Sequence, residues 1–449
     1  MVEDGHSRSS QPARPAPAAP QTIAPDRNGT SARPNGAIEI PAGRDLSIDA
    51  ARALCLPLVV VLHAMQMGVA GEPLRATNAL DNYQPLAWGT WLFMIMPTFF
   101  ITGGFASATS WQSVRRRGEP VSVYLRKRGI RLFAPACIAM FAVLIVSVLI
   151  GLAAGFDSAK SISFRLAEPL WFIPVYAIAT ALVPVMWRMH ERNPIAVLTG
   201  LCVAAALVDA LAAFGVPGVQ AINWLAVWLF AQQLGFVLFG GGADRIPKRA
   251  AALGLLGGFG VMALLTFGLG YSNDMLDNLN PPTFSIVVLT LVQFFGFVLL
   301  RPLIRAAMRS RPVLVSVGVL GKYGMTLYLW HTVAMGVVIL AQHLIGLPFP
   351  EPQSPSWWAT RPIWLIAVIV VSAGCCVLAP RLESALPAQR PGPMRLWAVI
   401  VATLFGIAGI GAVLALGYMG AGAVGVLLVF AATAWLLAGW PRMRRVNGG

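Results

Sequence analysis

The sequence predicts an all-α fold, a polytopic transmembrane helix bundle of about 12 spans. Three observations predict it. Of 449 residues, 57% are hydrophobic and only 11% are charged, against about 25% charged in an ordinary soluble domain. The apolar excess runs from about residue 50 to the C-terminus, in continuous stretches rather than the alternation of a β-barrel. The arginines gather in every second connecting segment, as in a chain that crosses a bilayer repeatedly. A soluble globular enzyme, a disordered protein and a single-anchor protein are excluded. A net charge of +15 would suggest nucleic acid in a soluble protein. Here it is topological, and no nucleic-acid partner is expected.

The elements follow in order. Residues 1–43 mix Pro, Ala, Ser, Arg and Gly without an apolar core, which predicts a disordered cytoplasmic tail rather than a signal peptide. A span needs about 20 apolar residues. Twelve runs qualify, at about 53–71, 86–110, 131–154, 169–187, 194–215, 221–239, 250–271, 283–303, 323–346, 361–380, 395–417 and 421–440. The ninth run begins near Val313 and is too long for one span, so Gly318, Gly321 and Gly324 are expected to split it. The last two runs are rich in Gly and Ala, lack internal charge and read as packing helices. No repeat is visible.

With the tail inside, the outer loops hold only Arg75, Lys160, Arg165 and Arg361 as bases. The inner segments hold Arg115 to Arg131, Arg188 and Arg192, Arg245 to Arg249, Arg301 to Arg311, Arg381 to Arg395, and Arg442 to Arg445. This predicts a multi-pass protein of the plasma (inner) membrane with both termini cytoplasmic. The five cysteines, Cys55, Cys137, Cys202, Cys375 and Cys376, lie in apolar runs without a CxxC. Neither a metal site nor a structural disulfide is expected.

Chemistry is sought among the ionisable groups inside spans, which are costly to place there and usually functional. The first span reads Asp49-x-x-Arg52, ten residues, then His63. Eleven helical steps turn the chain by roughly 1100°, three turns plus about 20°, and advance it roughly 16 Å. Arg52 and His63 therefore share one face, Arg52 at the mouth and His63 near mid-membrane. Read alone, Arg52 is more simply an anchor reaching for the headgroups. The second span carries Phe99-Phe100-Ile101-Thr102-Gly103-Gly104-Phe105, whose glycines serve packing or line a site. The cluster after it, including Arg126, Lys127, Arg128 and Arg131, is either a solvated loop or a phosphate site. Glu168 is expected at the start of the fourth span, where a helix dipole explains it. Asp209 lies towards the outer end of the fifth. The ninth span carries Tyr328, Trp330 and His331, with His331 expected at a shallower depth than His63, roughly 12 Å into the core.

On these residues the chain resembles the membrane-bound acyltransferase-3 family. The resemblance rests on Arg52-x10-His63, the Phe99-Phe100-x-x-x-Gly104-Phe105 end of the second span, and Arg128-x-x-Arg131. It also rests on Leu170-Trp171-Phe172 and on Leu327-Tyr328-Leu329-Trp330-His331. It covers residues 44–380, a ten-span acyltransferase-like core, and leaves 381–449 as two additional C-terminal transmembrane helices. Gly103 stands where family members commonly have Ser.

The resemblance implies transfer of an acyl group, acetyl or another short acyl, from cytoplasmic acyl-CoA as donor substrate. The acceptor would be a hydroxyl-bearing molecule: a glycan, a lipid-linked sugar or a small natural product. It implies Arg52, His63 and His331 as the catalytic set, with Arg52, Arg128 and Arg131 binding the donor. Elementary chemistry agrees, since acyl transfer needs a base for the hydroxyl proton and positive charge for the CoA phosphates. A proton-coupled secondary transporter or flippase is the competing reading, because twelve spans and intramembrane His and Asp also suit one.

Overall fold

The computed structural model describes Met1, residues 45–384 and residues 393–439. Met1 apart, the tail expected over 1–43 lies outside the described residues, as do Arg390 and Arg442 to Arg445. Among the described residues, twelve helices are long and apolar enough to cross a membrane. Spans 1 to 12 are Leu46–Gln66, Thr90–Arg116, Val121–Ala154, Phe156–Ala181, Pro194–Ala213, Val219–Phe239, Lys248–Gly268, Phe284–Ala307, Arg311–Leu344, Pro355–Leu382, Leu396–Leu416 and Gly420–Ala438. The chain is a multi-pass membrane protein, helical apart from one short hairpin among the described residues.

Four elements differ from the sequence expectation. Span 1 starts earlier and stops earlier. Asp45 caps it by accepting the Ser47 amide at 3.0 Å, and its helix ends at Gln66. The apolar residues that follow form strand β1 (Met67–Ala70), which pairs antiparallel with β2 (Arg75–Asn78). Hydropathy alone cannot separate a buried strand from the last turn of a span. Span 3 is a single 34-residue helix, because its basic first third is helical although too polar to score as membrane. At 1.5 Å per residue it is about 51 Å long, well beyond a core of about 30 Å.

Span 4 begins at Phe156, twelve residues before Glu168, and passes through a 3₁₀ turn at Glu168–Trp171. Glu168 is therefore not at a free helix start. It pairs instead with Arg165 one turn earlier. Span 9 is also one unbroken 34-residue helix, Arg311–Leu344. Gly318 and Gly321 have open space around their Cα atoms, and Gly324 packs against Leu56 of span 1. Isolated glycines in a helix cost about 1 kcal/mol each and do not by themselves break it.

Polar ties show which loops share an end of the bundle. At the end carrying Asp45, Arg301 donates to Asp45 Oδ2 at 2.5 Å, Asp244 Oδ1 at 2.7 Å and Ser47 Oγ at 3.2 Å. Arg115 pairs with Glu191 at 2.6 Å. Arg126 donates to the Leu436 and Leu437 carbonyls at 2.8 and 3.1 Å. This is the basic end. At the far end, Arg361 donates to the Met67 carbonyl at 3.0 Å, and the β-hairpin rests on span 4, Leu74 and Ala76 amides donating to Ser158 and Ser161 at 3.0 Å.

Spans 6 and 9 are the most enclosed, with 72% of their apolar windows buried, whereas spans 5 and 7 have only 17%. The peripheral spans present Ile195, Leu253, Leu256 and Phe267 outward, as lipid-facing helices do. Spans 2 and 6 cross almost backbone on backbone. A Cβ on Gly104 would stand 2.3 Å from the Gln232 carbonyl oxygen, and one on Gly235 2.1 Å from that of Ile101. Only glycine admits such an approach. Gly409 and Gly425 do the same between spans 11 and 12.

Candidate active site

Span 1 delivers His63 and span 9 delivers His331 to one point between them. His63 Nδ1 and His331 Nε2 are 3.0 Å apart. The rings stack with centroids 5.1 Å apart and planes 12° from parallel. The two imidazoles lie at one level, so the expected difference in depth is absent. Span 9 runs on past the region that hydropathy assigned it, and its residues cannot be measured inward from Tyr323. His331 is fully buried, while His63 keeps part of its surface accessible.

A hydrogen bond between two neutral imidazoles needs a proton on one of the two facing nitrogens and a lone pair on the other, so at an Nδ1–Nε2 contact both rings carry their proton on the same-named nitrogen. When His63 donates from Nδ1, its Nε2 carries a free lone pair and can take a proton. The resulting imidazolium keeps its Nδ1–H bond to His331. In that arrangement His331 is placed to fix the tautomer of His63 and to stabilise its charged form, as a carboxylate can.

Towards the basic end, three arginines converge. Arg52 of span 1 has its guanidinium carbon 5.5 Å from the centroid of the Phe99 ring. Arg128 of span 3 donates to the Ala106 carbonyl at 2.9 Å and lies 5.8 Å from the Tyr124 ring centroid. Arg131, one turn further on, is exposed and feels the charges of both Arg128 and Arg52. All three charges act on the Tyr176 hydroxyl of span 4. Like charges gathered this closely form a ready site for a multiply charged anion. Arg126 does not belong to this group, since it is buried and caps span 12.

Aromatic rings line the interval between the arginines and the histidines. Phe99 contacts Phe172 at 4.9 Å between centroids, Phe172 contacts Tyr328 at 5.4 Å, and Tyr328 contacts His331 at 6.0 Å. Tyr328 is fixed by donating to the Pro169 carbonyl. Pro57 lies within span 1 between Arg52 and His63, and the helix continues through it. Gly103 also has a place here. A Cβ at that position would lie 3.0 Å from Tyr176 Cε2, so the tyrosine ring fills the space a serine side chain would need.

Three features escaped the sequence reading. Tyr176 and Tyr124 were hidden among apolar neighbours, and only the fold brings them to the arginines. Arg165 was counted as an outer-loop base. It is mostly buried, pairs with Glu168, and its charge reaches His63. The spacing Arg165-x-x-Glu168 was a usable signal, because it puts opposite charges on one helix face. Asp209, a relay candidate in a transporter, accepts from Asn223 at 2.7 Å, Tyr271 at 2.8 Å and the Phe284 amide at 2.7 Å. Those three bonds give it a structural role in tying spans 5, 6 and 8 together.

No curated protein and no solved structure matches the chain. Residues 45–380 match the family model described as an acyltransferase domain. That match covers more than half of the sequence, and the protein accordingly belongs to the acyltransferase-3 family of membrane acyltransferases.

Proposed function

We propose that the protein is an O-acyltransferase that moves an acetyl or other short acyl group from cytoplasmic acyl-CoA to a hydroxyl of a glycan, lipid-linked sugar or small natural product. The observation that carries this reading is the His63–His331 hydrogen bond at 3.0 Å between spans 1 and 9, on the face of span 1 that also carries Arg52. The excess of arginine at the basic end supports a cytoplasmic placement of that end in the plasma membrane. Acyl-CoA then enters from the cytoplasm, its phosphates held by Arg52, Arg128 and Arg131. Its apolar arm follows the Phe99–Phe172–Tyr328 wall towards His63. The acceptor approaches from the far end, past Arg165 and Glu168.

In the reaction, His63 Nε2 takes the proton of the acceptor hydroxyl as its oxygen attacks the thioester carbonyl. The tetrahedral centre collapses with cleavage of the C–S bond. The departing CoA thiolate takes the proton back from His63, so the enzyme ends as it began. His331 holds His63 in the tautomer that makes Nε2 basic throughout.

The test is transfer from radiolabelled acetyl-CoA by purified protein with a panel of hydroxyl acceptors. Wild type turns the thioester over, and His63→Ala does so about 100-fold more slowly or worse, the usual scale for a general base. Thermal unfolding checks that the variant is folded. A folded His63→Ala protein with near-normal turnover removes the mechanism.

A further inference from the structure

Buried polar atoms without a partner are rare, and each calls for an explanation. Three of them meet at one place beside the arginines. Ser107 Oγ, Tyr124 Oη and Arg128 Nε are all buried, and none has a hydrogen-bond partner among the described residues. Ser107 and Tyr124 are almost wholly enclosed, at 0% and 1% exposure. Ser107 lies between the hydroxyls of Tyr124 and Tyr176, near enough to act on both but in hydrogen-bonding geometry with neither. Arg52, Arg128 and Arg131 all lie near enough to the Tyr176 hydroxyl for their charges to act on it. Spans 1, 2, 3 and 4 each contribute to this cluster.

Packing does not explain the set. Ser107 could be alanine and Tyr124 phenylalanine with no loss of internal contact, and leaving such hydroxyls unpaired is unfavourable. What the three hydroxyls and the arginines share is that they can all donate to oxygen atoms, and the arginines do so from planar forks. The ligand that suits them is a compact, multiply charged oxyanion.

We infer that Ser107, Tyr124 and Tyr176, with the Arg128 guanidinium, form a diphosphate-binding recess. This rests on the acyl-CoA reading of the site, and it selects one phosphate group of that donor. The recess lies at the basic end of the span 1 face that leads, roughly 16 Å on, to His63. In CoA the diphosphate is the phosphate group directly joined to the arm bearing the thioester. The 3′-phosphate of the ribose stands further from the sulfur and falls outside the recess, towards the exposed Arg131.

The experiment is equilibrium binding to the purified full chain, with CoA, 3′-dephospho-CoA and inorganic pyrophosphate as probes. Unfolding temperatures of the ligand-free proteins are measured in parallel. Ser107→Ala and Tyr124→Phe are each expected to weaken CoA and 3′-dephospho-CoA by about tenfold, the effect of losing one hydrogen bond to a charged group. Pyrophosphate is expected to compete with CoA. The ligand-free variants should melt at the wild-type temperature or above it, because the substitution removes an unpaired group. Variants that melt lower and bind CoA as wild type does would make these hydroxyls structural and overturn the inference. So would loss of affinity on removal of the 3′-phosphate alone. If pyrophosphate binds in a Ser107-dependent way and CoA does not bind at all, the recess stands and the acyl-CoA reading falls.

Discussion

Replacing His331 separates a positioning imidazole from a bystander. In His331→Ala, the 3.0 Å bond to His63 Nδ1 is lost and the His63 N–H is left inside the bundle without that partner. In the ground state this bond joins two neutral groups. In the transition state of the proposed mechanism His63 carries the proton, so the bond becomes charge-assisted, and such bonds contribute about 1.5–3 kcal/mol. At about 1.4 kcal/mol per factor of ten, the variant should turn over roughly 10- to 150-fold more slowly. His331→Gln can offer an amide oxygen to the same N–H and should recover most of that loss. The assay is acyl transfer from radiolabelled acetyl-CoA, with kcat separated from the KM of the donor and unfolding followed alongside. The effect should fall on kcat. A His331→Ala enzyme with wild-type kcat would refute the dyad. A His331→Gln enzyme as slow as His63→Ala would instead make His331 a proton carrier in its own right.

Arg52→Lys keeps the charge and loses the fork, so CoA affinity should fall by about tenfold and fall further in raised salt; binding indifferent to both would make Arg52 an anchor only. Gly235→Ala places a Cβ 2.1 Å from the Ile101 carbonyl oxygen, so it should depress the unfolding temperature or abolish folding, and a normally stable variant would contradict the close crossing of spans 2 and 6. His190, outside the spans, is held below its ordinary value of 6.5 by burial, which outweighs its bond to Gln233 and the pull of Glu191. The unfolded chain therefore takes up the proton first, and stability should be lost as pH falls from about 7 through the folded value. His190→Gln should flatten that part of the curve of unfolding temperature against pH.

The spans were legible because bilayer thickness imposes a length on every apolar run. The alternation of arginine-rich segments grouped the loops correctly into two ends, as the Arg301–Asp45–Asp244 and Arg115–Glu191 ties show. Helix ends were less legible. Hydropathy marks where a helix leaves the membrane, not where it stops, and so it missed the basic first third of span 3; in span 9 the run from Val313 was visible, but the expected break at its glycines is absent. The shared face of Arg52 and His63 followed from helical geometry within a single span. The meeting of His63 with His331, 268 positions apart, depends on how spans 1 and 9 pack, and no local pattern encodes that. The same holds for Tyr124, Ser107 and Tyr176, ordinary residues until three spans bring their hydroxyls together.

Arginine is where counting and structure diverge most. A topological rule treats every arginine near a membrane surface as the same signal, yet three of them are enclosed and make fixed bonds. Arg301 grips the first turn of span 1 through Asp45 and Ser47. Arg361, held between Trp357 and Trp364 at 4.4 and 4.6 Å from their ring centroids, grips the backbone just past its last turn through the Met67 carbonyl. Span 1 is therefore clamped at both ends by guanidinium groups from other spans. Arg126 ties the last carbonyls of span 12 to span 3, only two residues before Arg128. On the proposed mechanism, a base that must meet a thioester within a fraction of an ångström needs a helix that does not slide. Planar, permanently charged forks that bond backbone and carboxylate together can supply that restraint within a low-dielectric bundle, where lysine would supply only a mobile point charge. The position of His63 therefore depends on residues that never touch it as well as on His331, which does.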